Sequence, residues 1–358
     1  MKEISIIGVD LAKTVFQLHG VDAEGTAVLC RHFRRNQMLE FFQRLPGGCL
    51  VGMEACASAH YWARELMKLG HEVRLMQPRY VKGYVKRGKT DKADAEAICE
   101  AVSRPSMRFV PVKSEATQAL LMAHKAREFL VRQQTQVVMP EACFQHDAIR
   151  AHLGEFGIVV PQGIHNMGRL IAACDRADLP GPARKALNLL ADQLADTQRK
   201  IEDLTTDVRA DAAANEAARR LQTIPGIGPI TASALVASLP DVSDFKSGVA
   251  IVSRTDGATK ATLSAWLGLT PRPHSSGGKE RLRRISKMGN RYLRRLLYLG
   301  AIAQVSARRR AEPGDDWLWN IIRRKKPKQA AIALANRMAR TVYALLKNGT
   351  EFQVAEAP

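Results

Sequence analysis

The sequence has few cysteines, and none of them is spaced for metal binding or disulfide exchange. The six are scattered along 358 residues, without a Cys-x-x-Cys pair or a Cys–His set at zinc-finger spacing: Cys30, Cys49, Cys56, Cys99, Cys143 and Cys174. A structural zinc site or a disulfide framework is therefore not expected. Isolated cysteines of this kind are typical of small buried side chains in a reducing compartment.

Long hydrophobic runs are also absent. No apolar stretch approaches the roughly 20 residues that a membrane-spanning helix needs. The first apolar run is short and is interrupted by Asp10, which is unlike a secretory signal peptide. We therefore expect a cytoplasmic protein without a membrane partner.

Acidic residues are in short supply relative to basic ones. The chain has 54 Lys and Arg against 35 Asp and Glu, a formal net charge of +19. So basic a protein usually binds a polyanion, most often nucleic acid; a basic surface that only aids solubility is the alternative. The length and a hydrophobic content of 46% indicate a globular chain with room for two domains.

The first strand of the chain is almost entirely apolar and ends in a carboxylate. Residues 4–9 predict a strand buried on both faces, and Asp10 follows it. Gly8 would allow another backbone to approach closely, and a buried carboxylate beside it needs a partner such as a metal ion. Further strands are predicted at 14–21, 27–33, 49–53 and 72–76, with helices at 37–45 and 59–69. Together they predict an N-terminal α/β domain.

Three more acids are expected to join Asp10. Glu54 ends its strand as Asp10 does, and strand ends form the ligand crevice of an α/β sheet. Asp91 and Asp94 share one face of a helix that Thr90 can cap. Two acids on a packing face repel each other unless a cation lies between them, although first-turn acids also suit the helix dipole. Oxygen ligands favour hard cations, so we predict a site for two Mg²⁺ ions that supports phosphoryl transfer.

Basic and glycine-rich segments predict nucleic-acid contacts. In residues 79–89, cations alternate with Tyr80 and Tyr84, which suits a nucleic-acid backbone or, equally, an exposed loop; these cations are Lys82, Lys86, Arg87 and Lys89. Residues 221–236 resemble a helix-hairpin-helix in which Gly226 and Gly228 bring backbone N–H groups to a phosphate. A purely structural hairpin is the alternative.

A serine pair precedes the most basic part of the chain. Ser275 and Ser276 stand before two glycines, where a serine could attack phosphorus or the loop could simply bind a phosphate. The cations that follow are Lys279, Arg281, Arg283, Arg284, Lys287, Arg291, Arg294 and Arg295. Upstream, residues 183–220 predict one long amphipathic helix, which either forms a coiled-coil oligomerisation arm or packs on its own domain.

With these motifs in their observed order, the chain resembles the DEDD transposases of bacterial insertion sequences, the Piv-related group that includes bridge-RNA-guided recombinases. The matching motifs are Gly8-Val-Asp10, Met53-Glu54-Ala55, Lys89-Thr-Asp91-Lys-Ala-Asp94, Ile224-Pro-Gly-Ile-Gly-Pro229, Leu267-Gly-Leu-Thr-Pro271, Ser276-Gly277 and Arg284-Ile-Ser-Lys-Met-Gly-Asn290. Each motif is short, but the ordered set is specific.

The resemblance implies a domain organisation and a mechanism. Residues 1–113 would form a RuvC-like, RNase H-fold domain whose catalytic metal ligands are Asp10, Glu54, Asp91 and Asp94. Residues 114–220 would form a helical linker and coiled-coil oligomerisation region, and residues 221–358 a mainly helical transposase domain. Ser276, with Ser275 as the fallback, would form a 5′-phosphoserine link to double-stranded DNA. A homotetramer, arranged as a dimer of dimers, and a guide (bridge) RNA would complete the assembly.

Other functions share part of this pattern. A RuvC-like nuclease would use the same four acids with water as the nucleophile, and a non-enzymatic nucleic-acid-binding protein would use the carboxylates structurally. Actin-like ATPases and sugar kinases share a strand-Gly-x-Asp loop. They also need a second Asp-x-Gly loop and a glycine-rich adenosine site, and neither is found in the sequence.

Overall fold

The computed structural model describes residues 3–45, 48–86, 88, 90–138, 148–161, 163–176, 178–239, 242, 245, 262–274 and 282–353. Several predicted site residues lie outside them: Arg87, Lys89, Ser275, Ser276, Lys279 and Arg281. The described chain divides into two compact units, one running to Thr117 and the other starting at Gln118. The three-segment division at 113 and 220 stays a prediction. Within the described residues, no helix combines the length and apolar character needed to cross a membrane.

The first unit is built on a mixed six-stranded sheet. The strands are β1 (Ile6–Leu11), β2 (Val15–Val21), β3 (Ala27–Arg34), β4 (Leu50–Glu54), β5 (Glu72–Met76) and β6 (Phe109–Val110). They lie in the order β3-β2-β1-β4-β5-β6. The first three predicted strands are β1 to β3, which pair in antiparallel fashion. β4 pairs with β1, and β5 with β4, in parallel. The short β6 was not predicted.

Helices cover both faces of this sheet. The helices of the first unit are α1 (Met38–Gln43), α2 (Ala59–Lys68), α3 (Pro78–Val81) and α4 (Asp91–Val102). Strand residues alternate between the faces. Ile7 and Val9 pack with Trp62 of α2, whereas Ile6 packs with the cluster around Ile98 of α4. The even-numbered positions of β1, Asp10 among them, therefore face α4.

Two glycines let α4 lie almost directly on the strands. A Cβ at Gly8 would stand 2.3 Å from the carbonyl oxygen of Ala95 and 2.4 Å from the amide nitrogen of Cys99. A Cβ at Gly52 of β4 would stand 2.8 Å from the Val102 side chain. Because Gly8 and Gly52 are paired neighbours, α4 crosses the sheet from β1, at Ala95 and Cys99, to β4, at Val102.

The second unit is mainly helical and contains a two-stranded ribbon. Its helices are α5 (Glu115–Val138), which begins in the first unit, α6 (Ala148–Gly154), α7 (Met167–Cys174), α8 (Gly181–Ala214), α9 (Glu216–Gln222), α10 (Pro229–Ser238), α11 (Leu263–Trp266), α12 (Arg291–Arg308), α13 (Trp317–Arg324) and α14 (Pro327–Asn348). The ribbon pairs β7 (Pro271–Pro273) with β8 (Leu282–Ile285) in antiparallel fashion. Its main core contains Leu235 of α10, Leu297 of α12 and Val342 of α14.

The helix predicted over residues 183–220 is two helices. It stops at Asn215, whose side chain accepts a hydrogen bond from the Ala218 amide at 3.0 Å and so caps α9. Leu187 and Leu194 of α8 pack with Leu170 and other residues of α6 and α7. Much of the apolar stripe that suggested a coiled coil is therefore buried within the chain.

A buried chain of polar side chains ties four helices of the second unit together. Ser233 of α10 donates to a carboxylate oxygen of Asp211 at 3.0 Å. Because its only proton is used there, Nε2 of His124 must donate to Ser233 Oγ, also at 3.0 Å. Nδ1 of His124 then accepts from the Tyr292 hydroxyl at 3.1 Å. Burial, followed by the charge of Arg127, lowers the pKa of His124 to about 4, so the imidazole is neutral at pH 7.

The Gly8→Ala substitution tests the close approach of α4. We expect it to lower the free energy of unfolding by about 1–3 kcal/mol, because a new methyl group would meet backbone atoms that cannot rotate away. Gly83→Ala is the matched control in the same unit, since a Cβ there meets nothing within 4 Å. Urea denaturation measures both. Equal stabilities of the two variants would contradict the packing described.

Candidate active site

Asp10 and Glu54 lie side by side on neighbouring parallel strands. Val9 of β1 is paired with Met53 of β4, so the next residue on each strand is a carboxylate. Both strands have ended or nearly ended at this point, and both side chains are half-buried. Because Gly8 and Gly52 face α4, the positions two residues later face it as well.

The N-terminus of α4 brings the other two carboxylates to the same edge. Thr90 caps the helix by accepting a hydrogen bond from the Ala93 amide at 3.2 Å, as predicted. Asp91 and Asp94 occupy the first turn, one turn before the Ala95–Cys99 segment that lies on Gly8. Asp91 is exposed and Asp94 is half-buried. Asp91 and Asp94 are therefore near enough to Asp10, and Asp94 to Glu54, for their charges to interact.

The electrostatics of the site confirm that these carboxylates interact. Burial raises the pKa of Asp10, and the charges of Asp94 and then Asp91 raise it further. The pKa of Glu54 is also raised, first by burial, then by Asp10 and Asp94. No Lys or Arg among the described residues forms an ion pair with any of the four. Among the described residues, the site is thus a group of negative charges that no Lys or Arg side chain balances by an ion pair.

A divalent cation fits the chemistry of this cluster. The donors are all carboxylate oxygens, the ligands that Mg²⁺ and similar hard cations prefer. However, in the part of the chain that the structure describes, no three Asp, Glu, His or Cys side chains lie close enough to share one ion. The four carboxylates therefore interact across the edge of the sheet without forming a closed set of ligands. Their side chains would have to move inward to hold a metal.

The loop after Glu54 lies next to the site, and the sequence analysis assigned it no role. The pKa of the Cys56 thiol is raised by burial, then by the charges of Glu54 and Asp10, so this thiol lies beside the carboxylates. Ser58 has a left-handed backbone, with φ of 68°, which is uncommon for a residue with a side chain. No sequence signal distinguishes such a residue from an ordinary serine.

The predicted basic residues fall into two groups. Three have partners within the chain: Lys86 pairs with Glu96 at 2.7 Å, Arg295 with Glu128 at 3.9 Å, and Arg294 donates to the Leu267 carbonyl oxygen at 2.9 Å. The others are exposed and form no ion pair with any described residue: Lys82, Arg283, Arg284, Lys287 and Arg291. Among the described basic residues, those of the second group have charged groups that no ion pair occupies.

The two hairpin glycines also differ in role. Gly226 has φ of +89°, and its carbonyl oxygen would lie 1.9 Å from a Cβ on Gly300 of α12. It therefore makes a tight packing contact between the hairpin and α12. Gly228, which precedes α10, is exposed and has open space around it. The backbone contact with phosphate that the sequence suggested stays a prediction, and it is better placed at Gly228.

Ser275 and Ser276 belong to the connection between β7 and β8, outside the described residues. The ribbon is followed by a loop that two backbone hydrogen bonds hold to the segment after α11. The Lys287 amide donates to the Gly268 carbonyl oxygen at 3.2 Å, and the Ser286 amide donates to the Thr270 carbonyl oxygen at 2.8 Å. Exposed Arg283 and Arg284 follow the serines on β8.

Comparisons with known proteins agree on one family. A family model described as "Transposase", of the IS110 DEDD type, matches residues 7–139, and the model "Transposase IS116/IS110/IS902 family" matches residues 218–313. The chain is 43% identical to a Pseudomonas aeruginosa protein named "Probable family 20 transposase", over 97% of this chain and 98% of that protein. It is 38% identical to the transposase for insertion sequence element IS1111A of Coxiella burnetii, over 97% and 90% of the two chains. It is 37% identical to the transposase for insertion sequence element IS1328 of Yersinia enterocolitica, over 98% and 99%.

Replacing Asp10 tests the unbalanced charge. Because the fold raises the pKa of Asp10, ionising this carboxyl destabilises the native state. The destabilisation is absent below the ordinary pKa of an aspartic acid and complete above the raised value. Asp10→Asn should therefore stabilise the metal-free protein at pH 7 by up to about 1 kcal/mol, allowing for partial exposure to water, and the gain should vanish on acidification.

Thermal unfolding with and without Mg²⁺ measures this effect. Mg²⁺ should raise the melting temperature of the wild type more than that of Asp10→Asn. Glu96→Gln on α4 is the control, because the ion pair with Lys86 lowers the pKa of Glu96 and its loss should destabilise the protein slightly. If Asp10→Asn is also destabilising without metal, the repulsion argument fails.

Proposed function

The chain belongs to the IS110 family of DEDD transposases, enzymes that cleave and recombine DNA, and we propose that its four clustered acids and a serine of its second unit carry out strand cleavage and exchange. One observation supports this most strongly: the charges of Asp94 and Asp91 raise the pKa of Asp10, those of Asp10 and Asp94 raise the pKa of Glu54, and no described Lys or Arg forms an ion pair with any of the four. The strand order around β1 supports an RNase H-like, RuvC-like fold for this unit.

We assign the four carboxylates as ligands for divalent metal ions, Mg²⁺ with two ions in the active state. Such ions would supply Lewis-acid activation of the attacking oxygen and charge stabilisation of the leaving oxygen. Asp10 and Glu54 stand on rigid neighbouring strands, so they fix the position of the site. Asp91 and Asp94 stand on a helix terminus and can adjust to the ligands as these assemble.

Ser276, with Ser275 as the fallback, is the proposed nucleophile. Its Oγ would form a bond to phosphorus as the bond from phosphorus to the 3′ oxygen breaks. The serine loses its proton, the 3′ oxygen gains one, and the 5′ end of the DNA becomes a phosphoserine ester. Exposed Arg283 and Arg284 next to this segment suit the stabilisation of negative charge on the phosphate.

The acids and the serine belong to different compact units, which is compatible with one subunit supplying acids and another the serine. The proposed assembly is accordingly a homotetramer, a dimer of dimers, with α8 as one interface. Leu189 of α8 is 63% exposed and is available for such a contact. The helix-hairpin-helix around Gly228 and the exposed cations would hold the DNA backbone, and a bridge RNA would select the sequence.

A covalent trap tests the serine. With DNA labelled on the fragment that keeps the 5′ phosphate, denatured wild-type protein should retain label in the presence of Mg²⁺. Ser276→Ala should retain none and Ser275→Ala should still retain it, because only the true nucleophile is needed for the ester.

Asp10→Ala should abolish cleavage while leaving DNA affinity nearly unchanged.

The outcomes of the trap discriminate among mechanisms. Label lost only in Ser275→Ala would move the nucleophile to the fallback position. Cleavage without any retained label would instead assign the acids to a water-using nuclease. Loss of DNA affinity in Asp10→Ala equal to the loss of cleavage would contradict the proposed division between catalysis and binding.

Salt dependence tests the two groups of arginines. Arg284→Gln should lower the slope of log K against log salt for duplex DNA by about 1, because one phosphate contact and its released counterion are lost. Arg294→Gln carries the same charge change and is the matched control. It should leave the slope unchanged and lower the unfolding stability, since its hydrogen bond to Leu267 is lost. Equal slopes for wild type and Arg284→Gln would count against the assignment.

A further inference from the structure

A groove in the first unit lies at the same edge of the sheet as the carboxylates, but on the opposite face from α4. Its volume is about 680 Å³, within the usual range for ligand pockets. Thr14 and Val15 line it just after the strand that carries Asp10, and Tyr61 lines it from the first turn of α2, soon after Glu54. The groove therefore lies towards the same end of the sheet as the acids, with the sheet between them.

Aromatic and cationic side chains line this groove together. Tyr61 is 40% exposed and packs edge-on against Trp62, with ring centroids 5.3 Å apart. The Arg35 guanidinium lies 6.0 Å from the Tyr61 ring and 5.1 Å from the Trp62 ring. A flat guanidinium beside an exposed aromatic ring is the arrangement on which an unstacked base is held.

The charge around the groove favours an anion. Arg34 and Arg35 are exposed and form no ion pair with any described residue, and Asn36 adds an amide that is free to pair with a base edge. Arg34 is the last residue of β3 and Arg35 follows it; β3 is an edge strand that pairs only with β2 in the described sheet and that also exposes Arg31 and His32. A strand of nucleic acid would meet positive charge along β3 and an aromatic pocket at its end.

We propose that this groove holds one unpaired base, with its phosphate, of a single-stranded nucleic acid. Tyr61 would stack on the base, Arg35 and Arg34 would hold the phosphate, and Asn36 would contact the base edge. A duplex cannot fill the groove in this way, since its bases are already stacked. The proposal rests on the proposed function only in taking nucleic acid as the substrate class. The strand is either guide RNA or a displaced DNA strand.

Photo-crosslinking and binding of short oligonucleotides to the full chain test the proposal, without divalent ions. The probes are single-stranded RNA with 4-thiouridine, single-stranded DNA with 4-thiothymidine, and a DNA duplex. Tyr61→Ala should weaken single-strand binding at least about 5-fold, the lower end for one stacked base. Arg35→Gln should weaken it as well. Arg44→Gln is the control, because it removes the same charge nearby but is paired with Glu40 outside the groove.

Crosslinks at or beside Tyr61 are expected from one single-stranded probe, and the probe that gives them identifies RNA or DNA as the source. Equal affinities for Tyr61→Ala and Arg44→Gln, or crosslinks from the duplex alone, would overturn the proposal. So would a Tyr61→Ala variant that changes oligomeric state with oligonucleotide affinity intact, which would assign the groove to a second copy of the chain. Asp10→Asn should bind the oligonucleotides normally, so failure of the catalytic assignment and failure of this one are separable.

Discussion

Repulsion among the carboxylates of Asp10, Glu54 and Asp94 is the constraint that the packing of the first unit has to overcome. A fold that places Asp10 and Glu54 side by side gains nothing from their burial, because burial and the charge of Asp10 both raise the pKa of Glu54. The helix that adds Asp91 and Asp94 is held in place by apolar packing and by the missing side chain of Gly8, not by its acids. Packing thus supports an arrangement that electrostatics opposes, which is a frequent property of catalytic sites.

Much of this unit could be predicted because its signals are local. Apolar runs ending in turn residues gave five of the six strands of the sheet, and the capping role of Thr90 followed from its position before a helical pattern. The placement of Asp10 and Glu54 on neighbouring strands followed from a general rule about strand ends. The two-residue β6 has no local pattern, and the groove at Tyr61 depends on residues from β2, β3, α1 and α2. Features of that kind form only in the folded chain.

The basic residues show where sequence reasoning stops. Arg291, Arg294 and Arg295 stand within five residues of one another on α12. Among the described residues, only Arg291 of the three lacks a partner. Arg294 is fixed to the Leu267 carbonyl, and Arg295 pairs with Glu128 of α5, more than 160 residues earlier in the chain. Whether a cation is free to bind phosphate is thus decided by long-range contacts. The break of the long helix at Asn215 has a local cause instead. The Asn215 side chain caps α9, but the prediction followed the continuous helical periodicity and missed this cap.

The second unit is held by a different kind of interaction. Its four-residue polar chain from Tyr292 through His124 and Ser233 to Asp211 is fully satisfied, so each member costs little to bury, whereas removing one would leave the others unpaired. Tyr292 stands in the first turn of α12, directly after exposed Arg291 and close in sequence to the ribbon that flanks the proposed serine. Fixing Tyr292 therefore fixes the start of α12. Rigid support close in sequence to the proposed serine would favour in-line displacement, which needs one hydroxyl placed against one phosphate.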